Sequence, residues 1–318
     1  MAEYKGIKGF KVKSLASDPT ADEGQIWYNT ASNTLKYDTI AAGTWASGGN
    51  LNTGRYALAG AGLGTAGLVF AGIQQSAPIV AFTESYDGSS WTEVNDMNTA
   101  RHFLAGVGTQ TAALGVGGAP PDLAITEQWD GTNWSEVGDL TSGRIKTAGC
   151  GITTAGLVSG GIPAVALTET YNGTAWTEVG DLNTARGSMA GATKGTTTAA
   201  LMFGGGPPAV TLTESYDGTA WTEVADLGTG RYGGGGAGTQ TGALSFGGTP
   251  PAGGTTVNTE SFDGTSWTEV NNLGTARYRM GDAGSATDAF AAGGNEPPAY
   301  NVTEEWLRAA AVKTVTTS

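Results

Sequence analysis

The sequence predicts an all-β fold, and three observations predict it. A tryptophan followed ten residues later by an arginine recurs six times: Trp45–Arg55, Trp91–Arg101, Trp134–Arg144, Trp176–Arg186, Trp221–Arg231 and Trp267–Arg277. Short β-type runs flank Asp87-Gly88, Asp130-Gly131, Asn172-Gly173, Asp217-Gly218 and Asp263-Gly264. Pairs of this kind signal hairpins, because both residues tolerate positive φ. No window carries an apolar stripe of 3.6-residue period, which excludes solenoids with a helix per repeat.

Each repeat reads as four short strands. The first follows the arginine, as in Arg101-HFLAGVG, and the second ends on a small-Gly pair. Those pairs are Ala71-Gly72, Gly117-Gly118, Gly160-Gly161, Gly204-Gly205, Gly247-Gly248 and Gly293-Gly294. The third strand opens on a Thr-Glu pair, at Thr83-Glu84, Thr126-Glu127, Thr168-Glu169, Thr213-Glu214, Thr259-Glu260 and Thr303-Glu304. The fourth carries the tryptophan. Four strands in 42–46 residues match one propeller blade, so the expectation is a six-bladed β-propeller.

The chain then divides into an N-terminal arm and hairpin over 1–40, a propeller over 41–308 and a C-terminal extension over 309–318. The last repeat lacks a fourth strand, and an orphan fourth strand around Trp45 precedes the first. Pairing the two completes the last blade from both ends and removes an open edge. The Trp306 segment is preferred for that place over Tyr37, because Tyr37 stands eight residues before Trp45 where the repeats have five.

Composition agrees and excludes much chemistry. Glycine supplies 53 of 318 residues, far above the ordinary ~7%. Innermost propeller strands crowd one axis, where only Gly and Ala let backbones approach. With 39% hydrophobic residues the chain can build a core. One cysteine (Cys150) and one histidine (His102) leave no disulfide framework and no multi-ligand metal site, so no cofactor is expected. The net charge of −13 disfavours nucleic acid, and no apolar run is long enough for membrane insertion. Residues 1–13 are the exception, carrying Lys5, Lys8, Lys11 and Lys13 against Glu3. Their segment has no apolar signal-peptide core.

A Gly pair, then an aromatic, then Trp five residues on (Gly117-Gly118, Trp129, Trp134; Gly204-Gly205, Tyr216, Trp221) resembles a kelch repeat over residues 45–306. Units such as TESYDGTAWTEVADLGTGR with GTQTGALSFGG resemble the kelch-like propellers of marine bacteriophage particles. The leader PTADEGQIWYNTASNTLKYD is similar to a hairpin module of phage tail-fibre and virion proteins. That resemblance implies a virion protein made in the host cytoplasm, with a structural or host-contact role. The arm, with its four lysines and Trp27 and Tyr28, would dock on other virion proteins. The propeller would be displayed toward a host-surface glycan or protein. Kelch copper oxidases need a Cys–Tyr cross-link and two histidines, which one His and one Cys cannot supply.

Two kinds of candidate site remain. Loops after the second strands carry Pro78, Pro120, Pro163, Pro207, Pro250 and Pro297, and variable loops on a rigid scaffold are where binding evolves. The six arginines share their face. They either ring the channel mouth as a cationic site or pair with repeat glutamates such as Glu84 and Glu127. No acidic pair departs from the repeat to serve a glycosidase, so no catalytic residue is expected. The visible breaks are Gly180 in place of Asn95, Asn272 in place of Asp96 and Trp129 in place of Tyr86. The alternative to a virion role is a free, lectin-like propeller that binds carbohydrate or peptide.

Overall fold

The structure, a computed structural model, describes residues 12–17, 26–40, 42–75, 78–295, 298–308 and 310–315. They are all-β, with no helix among them. The chain forms two compact units, Met1–Gly43 with Arg308–Ser318, and Thr44–Leu307.

The larger unit is built of four-stranded antiparallel sheets, the building plan of a β-propeller, beside one two-stranded sheet of Arg55–Tyr56 and Ile73–Gln74. The first comprises Ala59–Leu63, Ala66–Phe70, Thr83–Tyr86 and Trp91–Val94. Four more follow in the same strand order, over 105–136, 148–178, 190–223 and 235–269. A sixth joins Gly281–Gly284, Asp288–Ala292 and Thr303–Leu307 to Thr44–Ser47 from the other end of the unit. There Trp306 lies opposite Trp45. Tyr37 lies elsewhere, opposite Ile26 and Lys313.

Alternation along each third strand decides what is buried. In Thr83–Tyr86 only Ser85 is partly exposed. The threonine hydroxyl accepts the indole N–H of a tryptophan from the next sheet. Trp134 reaches Thr83, Trp176 reaches Thr126, Trp221 reaches Thr168, and Trp267 reaches Thr213. Trp45 continues the series to Thr259 and Trp91 to Thr303, all at 2.9–3.1 Å. The series therefore runs from sheet to sheet and returns to its start. Between sheets, Phe70 meets Trp134 edge-on at 4.8 Å, and Phe203 meets Trp267 at 4.9 Å. These aromatic pairs fill the inter-sheet cores, which also hold Leu104, Met97 and their equivalents.

The smaller unit is one sheet. Thr34–Ile40 sits between Ile26–Asn29 and Ala310–Thr314, and Lys13–Leu15 runs parallel to Ile26–Asn29 on the outer side. Asn29 makes the hairpin turn, its Oδ1 accepting the N–H groups of Ala31 and Ser32 at 3.0 and 2.9 Å. Residues 310–314 thus form a strand with the N-terminal hairpin, where the sequence suggested a separate extension. The hairpin gains both flanking strands from its own chain.

Candidate functional site around the sheet axis

Counting from each repeat arginine places equivalent residues in layers about one axis. Two residues on stand Ala57, Phe103, Lys146, Ser188, Gly233 and Arg279. All six have left-handed backbone, with φ between 53° and 62°. Their amides link into a ring: Phe103 donates to Ala57, Lys146 to Phe103, Ser188 to Lys146, Gly233 to Ser188, Arg279 to Gly233, and Ala57 to Arg279. The bonds measure 2.7–2.9 Å. Left-handed backbone costs a non-glycine residue about 1–2 kcal/mol, and five of the six bear that cost. The ring of hydrogen bonds is what holds them there.

Five residues after each arginine the layer reads Gly60, Gly106, Gly149, Gly191, Gly236 and Asp282. A Cβ at Gly60 would stand 2.7 Å from the Asp282 carbonyl oxygen, so crowding between first strands explains the glycines. Asp282 is the exception. Its side chain enters the axial cavity and its Oδ2 accepts the Gly236 amide at 2.8 Å. Burial pushes its pKa up to about 7, with the Gly236 N–H pulling the other way.

Two residues deeper stand Gly62, Gly108, Gly151, Thr193, Gly238 and Gly284. Thr193 is again an exception, and it begins an insertion. From arginine to glycine pair the fourth sheet runs from 186 to 204, two residues longer than the 101 to 117 of the second. The extra chain crosses the axis. The Thr193 hydroxyl donates to the Gly284 carbonyl at 3.1 Å and accepts its amide at 3.2 Å. The Lys194 amide donates to Gly238, and its ammonium donates to the Gly108 carbonyl at 3.2 Å. Burial lowers the Lys194 pKa, while Asp288 raises it.

These layers bound a cavity of about 120 Å³. Lys146, Arg279 and Asp282 are its charged lining residues, with Phe103 and Thr193 beside them. The Lys146 ammonium lies 4.6 Å from the centre of the Phe103 ring, and the Arg279 guanidinium 4.8 Å. The negative face of the phenyl ring offsets the repulsion between the two cations. His102 packs edge-on to Phe103 at 4.7 Å. Its pKa is lowered by burial first, then by the charges of Arg279 and Lys146.

The residues singled out in the sequence lie around this axis or away from it. Arg55, Arg101, Arg144, Arg186, Arg231 and Arg277 are buried and form ion pairs with Glu84, Glu127, Glu169, Glu214, Glu260 and Glu304 in turn. Of the two arrangements open to the arginines, the structure has the paired one. Each guanidinium is spent inside the protein. Arg55, for example, donates to Glu84 at 2.7 Å and to the carbonyls of Ala71 and Phe82 at 2.9 and 2.7 Å. Burial lowers the Arg55 pKa, and the Glu84 charge opposes it.

Pro78, Pro120, Pro163 and Pro207 are exposed and Pro250 half-buried, while Pro297 lies outside the described residues. Residues just before three of them, Ala119, Ile162 and Thr249, pair with His102, Ile145 and Tyr232 beside the left-handed ring. The proline loops and the ring therefore share a face. Lys5, Lys8 and Lys11 lie outside the described residues, and Lys13 pairs through its backbone with Trp27. Trp27 is fully buried, so it offers no docking surface, whereas Tyr28 is exposed. Cys150 is buried among Ala148, Leu157 and Met202, and burial pushes its pKa up to about 12. Among the described residues no group of three or more His, Cys, Asp or Glu is placed to hold a metal ion.

The axial residues Lys146, Arg279, Asp282 and Thr193 were missed by sequence reasoning. The signal was present: position counted from the arginine, rather than from the tryptophan, shows each as a departure from its layer. No protein-family model matches the chain, and no curated protein matches it either.

Proposed function

We propose that the protein is a non-enzymatic structural or adsorption component of a phage particle, a six-bladed kelch-like propeller displayed from its terminal sheet. The six-membered Trp–Thr series and the six-membered amide ring support the blade number. One observation carries the docking role. Among the described residues, four of the six exposed large apolar side chains, Val12, Ile26, Tyr28 and Val315, belong to the small terminal unit. Ile26 and Tyr28 stand on one face of their strand, opposite buried Trp27 and Asn29. An exposed apolar face on so small a sheet suits burial against another protein. The basic residues 1–13 add charge toward an acidic partner surface.

The test is incorporation. Ile26→Ser with Tyr28→Ser should leave the melting temperature of the large unit unchanged and remove the protein from particles that sediment after assembly. Equal incorporation of variant and parent overturns docking through this face. The second reading, a free lectin-like propeller, is favoured by the charged axial cavity. It predicts full ligand binding with no particle association in either form.

A further inference from the structure

We propose that the axial cavity is a binding site for a carboxylate-bearing sugar, its carboxylate held between Lys146 and Arg279 and its hydroxyls by Asp282. The inference rests on the host-contact half of the reading above and not on particle docking.

Three features point to that ligand class. The first is the pair of cations on one phenyl ring. In a chain of net charge −13, two half-buried cations are gathered at one cavity by Phe103, each within 4.8 Å of its centre. A carboxylate bridging both would make charge-assisted hydrogen bonds to each. The second is Asp282. Its one hydrogen bond among the described residues is the Gly236 amide on Oδ2, which leaves Oδ1 as an acceptor for the cavity. The third is Thr193 in the cavity lining, its hydroxyl held on both polar groups of Gly284.

Those features exclude neighbouring classes. A phosphate monoester would bring nearly two negative charges near Asp282 where a carboxylate brings one. A cationic ligand would meet Lys146 and Arg279. A carboxyl that burial pushes up to about 7 is half neutral at neutral pH, which suits neutral hydroxyls better than an ammonium. About 120 Å³ holds roughly four waters at their liquid volume. That is room for one edge of a sugar ring, so a terminal residue of a surface polymer would enter only in part.

The departures themselves support a site. Other sheets carry Ala57 and Ser188 where Lys146 and Arg279 stand, and five carry glycine where Asp282 stands. The fold is thus served by smaller residues at all three places. This supplies variants that fold: Lys146→Ser, Arg279→Ala and Asp282→Gly each install a residue that the same layer already holds.

The full chain should be titrated calorimetrically at pH 7 with methyl glucuronoside, N-acetylneuraminate, methyl glucoside and glycine. At least one acidic sugar should bind saturably, and methyl glucoside at least about tenfold more weakly. Each of the three variants should weaken the acidic sugar by about tenfold or more while melting like the parent. The site is overturned if methyl glucoside binds as well as the acidic sugars, if neither acidic sugar binds, or if glycine alone binds. It is also overturned if all three folded variants bind like the parent. Failure here leaves incorporation into particles untouched, and failure of incorporation leaves this binding untouched.

Discussion

The arginine–glutamate shell and the axial layers are built from the same six repeats, yet only one of them is uniform. Every arginine has its glutamate, and in every pair both side chains are buried. A few residues further along the same strands, the axial positions hold glycine, alanine, serine, threonine, phenylalanine, lysine, arginine and aspartate. The difference follows from what each position must satisfy. A buried guanidinium without its carboxylate is an uncompensated charge, so no repeat can drop either partner alone. The axial side chains Lys146, Arg279 and Asp282 line a cavity, where the backbone ring and not the side chain holds the geometry. Uniformity therefore marks architecture, and departure marks positions free to serve a ligand.

Three experiments press on that contrast. The largest effect should come from removing residues 299–318. This takes Thr303 from Trp91, Glu304 from Arg277 and the partner strand from Thr44–Ser47 in one step. It also removes the strand Ala310–Thr314 from the terminal sheet. The melting transition by calorimetry should fall sharply or lose its cooperativity. An unchanged melting temperature would mean that the sheets of the larger unit do not depend on joining their two ends.

Next in size is a single pair in the uniform shell. Arg101 donates to Glu127 at 2.5 Å and to the Gly115 carbonyl at 2.8 Å. Glu127 in turn accepts the backbone and side-chain amides of Asn98 at 2.7 and 2.9 Å. Arg101→Met should cost about 3–5 kcal/mol, because it leaves Glu127 buried and unpaired. Arg101→Met with Glu127→Leu should cost less than the sum of the two single changes. Lys146→Ser, by contrast, should stay within about 1 kcal/mol of the parent. Denaturant unfolding measures all four. A Lys146→Ser cost equal to that of Arg101→Met would erase the distinction between shell and axis.

Much of the larger unit is legible in the sequence for a physical reason. Trp, Thr-Glu and Arg each occupy one position per sheet without exception, and the Gly pair varies only at Ala71. The indole must reach a threonine, the glycine pair must turn the chain, and the arginine must find its carboxylate. The terminal sheet is less legible. Ala310–Thr314 pairs with Lys36–Ile40 across most of the chain length, and no local signal specifies that partner. The axial site is the least legible, because its residues break the pattern instead of making it. Gly180, Asn272 and Trp129 are breaks of the outer strands and their connections, visible beside the tryptophans. Asp282 and Thr193 stand in glycine-rich runs that look alike until counted from the arginine. The two-residue insertion in the fourth sheet is hidden the same way, since the distance between successive tryptophans varies among all the repeats.

The smallest effect expected is a pH dependence carried by one axial carboxyl. Asp282 has its pKa pushed up to about 7 by burial, whereas an unfolded aspartate titrates near 4. Between those values the folded protein holds a proton that the unfolded chain releases. The contribution of Asp282 to stability is therefore greatest below about pH 4, declines as pH rises toward 7, and is constant above it. A shift of that size corresponds to about 4 kcal/mol, and the partial exposure of Asp282 reduces that to roughly 1–3 kcal/mol. Other groups act in the opposite direction. His102 has a lowered pKa, and the turn residues Asp87, Asp130, Asp217 and Asp263 are held low by backbone amides. Each of these makes the fold less stable as pH falls. They are present in both parent and Asp282→Gly, so the difference between the two proteins isolates the axial carboxyl. The variant should gain on the parent steadily from pH 4 to 7 in denaturant unfolding, then run parallel to it. A difference that stays flat across that window would show the carboxylate ionised throughout, already compensated by Lys146 and Arg279 across the cavity.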